Sequence, residues 1–227
     1  MEQGLANLVA AAVAFVGTHF ALSHPLRAPL VNMIGAAGFR MVYSLVALAT
    51  FGWMVLAYRA VGPQAGLWDG TAAALWAISS LLTLVAAVLF IGSLMGNPAL
   101  PDPRAAALAD KPVHGVFHVT RHPMMWGFAL WAVSHALISP SPRSLVLTGA
   151  LGFLALVGSH LQDRKKQALM GKAWSGWEAK TSYWPKLGGL TKAGLVPWIG
   201  GTILWLAATY LHIPGNGMAA GIWRWMG

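Results

Sequence analysis

Six runs of apolar residues, each long enough or nearly long enough to cross a bilayer, leave this chain little to fold into except a membrane bundle. They lie at 5–22, 41–58, 72–95, 123–139, 144–161 and 195–213, against the roughly 17–25 residues that a helix needs to traverse hydrocarbon. The fourth is the shortest. Only 9% of the residues are charged and 57% are hydrophobic, whereas about a quarter of a soluble domain is charged. Backbone groups in hydrocarbon must satisfy one another within a segment or a closed barrel, and runs of this length select helices. The expected fold is therefore all-α, a polytopic membrane bundle of about six transmembrane helices. The longest polar stretches, 96–122 and 162–194, are too short for a second folded domain, so residues 1–227 read as one transmembrane domain.

Basic residues orient the bundle. Twelve of the 15 Lys and Arg fall in the first, third and fifth connections, leaving Arg59, Arg143 and Arg224 for the other side. Positive charge collects on the cytoplasmic side, which predicts both termini outside. The net charge of +9 is thereby a consequence of topology, and the basic residues form no aromatic-interleaved face of the kind that binds nucleic acid. The first run is preceded by Glu2 and no Lys or Arg, so it lacks the positive region of a secretory signal and reads as a retained helix. With no cysteine in the chain, thiolate metal sites and cysteine nucleophiles are excluded. Trp68, Trp126, Trp198, Trp223 and Trp225 fall near span ends and suit an interfacial belt.

The histidines carry what chemistry the sequence offers. His24, His114 and His118 lie in connections and His212 near the end of the last span, where water removes the cost of a polar ring. His19, His122, His135 and His160 lie in or at the edge of spans, where an unpaired ionisable group costs several kcal/mol. The six acids, Glu2, Asp69, Asp102, Asp110, Asp163 and Glu178, are not placed in mid-span. That disfavours di-iron and zinc centres, which draw on three or more protein donors, and proton-coupled transport, which uses embedded carboxylates. A haem needs one or two imidazoles and little else from the chain. In "RHPMMWGFALWAVSHAL" (121–137), His122 and His135 are thirteen positions apart, about 20 Å on one helix and on nearly opposite faces. They cannot share one iron. His122 starts a helix, where water or a phosphate can reach it; His135 is about 18 Å into that helix from its first residue and is the better buried candidate.

Three blocks carry a resemblance: "GTHFALSHPLRAPLV…GFRMVYSLVAL" (17–48), "RHPMMWGFALWAVSHAL" (121–137) and "DRKKQALMGKAWSGWEAKTS" (163–182). Together they resemble the NnrU family of bacterial membrane proteins, which is similar to 15-cis-zeta-carotene isomerase, a haem-b membrane enzyme. The resemblance implies a multi-pass protein of the bacterial inner membrane that binds haem b. It implies His19 and His135 as the two iron ligands, and either cis–trans isomerisation of a lipophilic polyene or a part in denitrification and nitric-oxide metabolism. A cysteine that can exchange as ligand in the isomerase corresponds to Ala132 here. Helix rise sets a condition on the pair. His19 is about 9 Å from the helix end at Pro25 and His135 about 18 Å from the start of its own helix, so the two meet only if the fourth helix begins outside the hydrocarbon. If it does not, His19 with His160 is the better match in depth.

A second likeness competes. "RHPMMWG" followed by "DRKKQALMGKAWSGWEAKTSYWPKL" also resembles the isoprenylcysteine carboxyl methyltransferase superfamily, which implies S-adenosylmethionine held near Arg121 and His122, with Asp163, Gly171, Trp174 and Pro185 matching. A single acid followed by "RKK" stands where that superfamily has an acidic pair. A third reading, a non-catalytic membrane assembly protein, follows from the aromatic-rich spans and the scarcity of acids.

Overall fold

The computed structural model of the protein describes residues 2–226, with Asn216 described by its backbone alone. The described residues form helices and connections without a strand. Five helices are long and apolar enough to cross a membrane: α1 (Glu2–Ser23), α2 (Arg27–Ala60), α3 (Ala73–Ser93), α6 (Pro142–Met170) and α8 with the short α9 (Leu195–Gly215). A sixth apolar helix, α5 (Pro123–Ile138), has sixteen residues. The chain is thus a helical membrane bundle, as the apolar runs predict. Its outer surface is greasy, with Val13, Leu48, Leu56, Leu81 and Ile203 more than 60% exposed, which suits a lipid surround rather than water.

Two boundaries differ from the sequence reading. The second run was placed at 41–58, but α2 begins at Arg27 and breaks at Gly35, whose φ of 72° and ψ of 168° lie outside the helical region. An apolar window cannot see a helix that starts with Arg27 and Asn32, and glycine alone accepts such a backbone cheaply. The fifth run ended at 161, but α6 continues to Met170, carrying Asp163, Arg164, Lys165 and Lys166 out of the apolar zone on the same helix.

Helices neighbour one another in the order α2, α1, α6, α5, α3, α8. The short α5 sits in the middle, between α3 and α6. Close approach on both sides of α3 depends on glycine: a Cβ on Gly127 of α5 would lie 3.0 Å from the Ala86 carbonyl oxygen, and one on Gly201 of α8 would lie 2.6 Å from Val88 Cα. Small residues at helix contacts are the usual means of packing where lipid removes the hydrophobic drive. Hydrogen bonds stitch the same contacts, from Ser79 Oγ to the Ser134 carbonyl at 3.0 Å and from Trp205 Nε1 to Thr83 Oγ1 at 3.0 Å.

The polar stretches at the basic end are folded rather than loose. α4 (Ala105–Asp110) packs on α7 (Lys172–Lys180), and Ala99, Ala109, Phe117, Trp174 and Trp177 form a small core there. Both tryptophans are wholly buried.

Candidate functional site

His122 and His135 stand at opposite ends of α5 and in opposite circumstances. At the first turn, Pro123 occupies the initial helical position and His122 the cap. Proline is favoured there because its missing N–H has no intrahelical partner to lose. The His122 ring is buried, and its Nε2–H donates to Asp163 Oδ1 at 2.7 Å. Arg121 donates to the same carboxylate from Nε at 3.0 Å and Nη2 at 2.6 Å, and lies 3.6 Å from Glu178. The Arg121 N–H donates to the Ser182 carbonyl at 2.8 Å, and Trp126 Nε1 to the Tyr183 carbonyl at 2.9 Å. Asp163 thus ties the start of α5 to the overhang of α6, and the segment before α8 closes over both. The sequence reading placed His122 where water or a phosphate could reach it; the structure corrects this. The chain folds its own carboxylate and aromatic cap onto the ring, leaving Nδ1 buried with no hydrogen-bond partner among the described residues.

His135 lies in the last turn of α5. Its Nδ1–H donates to the Trp131 carbonyl at 2.9 Å, four positions back, and its ring stacks on Trp131 at 4.1 Å between centres. The carbonyl can only accept, so the proton is on Nδ1 and the lone pair on Nε2. That nitrogen has no hydrogen-bond partner among the described residues. His135 lines a cavity of about 620 Å³ between α3, α5 and α8, within the range of small-molecule sites. Across it stands His212, at the end of α8, with ring centres 6.2 Å apart. Its Nδ1–H donates to the Ala208 carbonyl at 2.8 Å, and its Nε2 has no hydrogen-bond partner among the described residues. Ser79, Thr83, Phe90 and Trp205 supply walls, and Arg224, whose guanidinium lies 4.1 Å from the centre of the Trp76 ring, lines the same space.

His19 is elsewhere. Its Nδ1–H donates to the Phe15 carbonyl at 2.7 Å and its ring lies against Phe15 and Tyr43. It lines a second cavity, of about 570 Å³, between α1, α2, α5 and α6. Phe128 and Trp131 of α5 line both cavities. The two histidines that the resemblance pairs therefore open into different spaces. His160, the better match in depth, is exposed on α6 and lines neither cavity.

The donor set bears on what the His135 cavity could hold. Among the described residues no group of three or more metal-ligating side chains comes together, which suits neither zinc nor di-iron. A porphyrin brings four nitrogens and asks the chain for one or two. His135 and His212, lining one space with ring centres 6.2 Å apart, are a donor set of that kind. A cation such as Arg224 suits the carboxylates of such a group. The residues fit haem. Sequence reasoning had set His212 aside as interfacial; its nearness to His135 depends on how α5 and α8 pack on α3, which no local pattern reports.

The S-adenosylmethionine reading rests on Arg121 and His122. Both direct their polar groups to Asp163, the residue matching part of that superfamily's acidic pair.

Compared with known families, residues 7–220 match the model described as NnrU protein. No curated protein and no solved structure matches the chain.

Proposed function

We propose, from the premise that this chain belongs to the NnrU family, that it is a haem-b-binding multi-pass protein of the bacterial inner membrane. In this reading the cavity between α3, α5 and α8 is the site, and His135 and His212 are the iron ligands. The observation that carries it is a pair of imidazoles lining one largely apolar space with ring centres 6.2 Å apart, each with Nδ1 held by a backbone carbonyl and with no hydrogen bond to Nε2 among the described residues. A second-shell hydrogen bond of this kind orients a ligand histidine and raises its basicity. When bound, haem b supplies a redox-active iron. The chain's own part is to hold Nε2 of each ring in place and to keep water from the centre with Phe90, Trp131 and Trp205. Arg224 sits where it can neutralise a carboxylate.

The test is the absorption spectrum of detergent-purified, haem-supplied protein, oxidised and dithionite-reduced, for wild type and three variants. His135→Ala loses the Soret band, His212→Ala shifts it as one of the two imidazoles that would hold the haem is lost, and His19→Ala leaves it in place. Loss in His19→Ala with an unchanged His212→Ala would return the iron to the pair that the resemblance implies. A colourless wild type would reject haem altogether. The catalytic part of the reading, cis–trans isomerisation of a lipophilic polyene, rests on the resemblance. It fails if the haem-loaded protein leaves every cis-carotene offered unchanged.

A further inference from the structure

The second cavity is graded along its length. On α6 its lining residues run Leu151, Leu154, Ala155, Gly158, Gln162 and Lys165, one face of the helix covering roughly 21 Å of rise. The apolar members come first and the polar ones last. α1 repeats the gradient in the same direction, from Phe15 at the deep end to Ser23 and His24 at the basic end of the bundle. The result is a slot with aromatic and aliphatic walls below and a polar, cationic mouth above.

The mouth holds more positive charge than the chain neutralises. Lys165 makes no ion pair or hydrogen bond among the described residues, and neither His24 nor Arg27 has a carboxylate within 4 Å. Arg27 lies within electrostatic reach of Lys165, and the His24 ring beside them, held below its ordinary pKa by burial and by Lys165, offers an N–H rather than a charge. Of the acids at this end, Asp163 and Glu178 pair with Arg121 and Asp102 with Arg104, while Asp110 has no basic group within 4 Å among the described residues. Neighbouring Lys166 differs, since its Nζ is held by the Pro98 and Leu100 carbonyls at 2.7 and 3.0 Å. Like charges gathered at the edge of hydrocarbon repel and are poorly solvated there, so the arrangement calls for an anion from outside the chain. Basic pockets between membrane helices recognise anionic headgroups for this reason.

We propose that this slot binds one anionic phospholipid of the leaflet at the basic end, with an acyl chain lying along α6 beside Leu151 and Leu154 and the phosphate held by Lys165 and His24, with Arg27, outside the lining and over the Phe39 ring, adding positive charge nearby. The inference is independent of the haem reading, because the two cavities share only the α5 wall.

Native mass spectrometry of the detergent-purified full chain tests it, titrating phosphatidylglycerol and phosphatidylcholine with identical acyl chains. Wild type is expected to retain one phosphatidylglycerol with at least a tenfold preference over phosphatidylcholine. Lys165→Glu removes the preference, Lys165→Arg keeps it, and Leu154→Trp, which fills the slot, lowers retention of both lipids. Equal retention of the two lipids by wild type, or a preference untouched by Lys165→Glu, overturns the proposal. So does displacement of the lipid by millimolar inorganic phosphate, which would mark a site for a soluble anion. The Lys165→Arg arm guards against misfolding: loss in both lysine variants overturns the charge argument.

Discussion

The two ends of α5 put the same side chain to opposite uses. At the basic end His122 is buried under Trp174 and Tyr183, bound through Nε2 to a carboxylate that also carries Arg121. At the other end the His135 ring spends only Nδ1, on the Trp131 carbonyl and the Ser134 hydroxyl, and lines a cavity. The difference lies in what the neighbouring helix supplies. α6 overhangs the membrane at the first end and delivers Asp163; at the second, α3 and α8 part enough to leave space. A histidine that meets a carboxylate becomes part of a joint, and one that meets only neutral groups of its own helix, through one nitrogen, keeps the other for a ligand.

That contrast can be broken by substitution. The largest effect is expected at Asp163, since removing one partner of a buried ion pair strands the others at a cost of about 3–5 kcal/mol. Asp163→Ala should lower the thermal midpoint in detergent sharply, with or without haem. His122→Ala comes next. It deletes a buried hydrogen bond to a charged group, worth about 1.5–3 kcal/mol, and leaves the haem spectrum unmoved; a lost Soret band there would erase the distinction between the two ends. Gly127→Ala tests the contact that holds α5 against α3. A Cβ there meets the Ala86 carbonyl oxygen at 3.0 Å, and overpacking of this kind costs about 1–3 kcal/mol. Gly149→Ala on α6 meets nothing within 4 Å and should stay within about 0.5 kcal/mol of wild type. His135→Ala is set apart from this order, since its stability cost in haem-free protein is modest, about 1 kcal/mol by the measure of a net hydrogen bond. Its effect is to appear in the spectrum instead.

Legibility followed the range of the interactions. The spans were readable because bilayer thickness writes itself into continuous apolar length. The shortness of α5 was readable too. Residues 94–122 and 171–194 were not, since their core is drawn from Phe117, Trp174 and Trp177, singly placed in polar sequence and joined only by folding. His135 was legible as a buried candidate from its position in the span. Its neighbour was not, because His212 arrives from the end of another helix. Asp163 was visible only as one match in the methyltransferase likeness, and nothing local disclosed that it would bind the two residues of the Arg-His step.

The brevity of α5 has a consequence for how the protein is made. Sixteen residues rise about 24 Å, short of the roughly 30 Å of a bilayer's hydrocarbon, and the helix carries a histidine within it. Emerging alone from the ribosome it would be a weak candidate for insertion. Three residues later α6 follows, 29 residues long, and supplies both the missing length and the Asp163 carboxylate for Arg121. The two are thus expected to enter the membrane as a hairpin, with α5 committed only once its successor has been synthesised. The central helix of the finished bundle would then be one of the last to find its place.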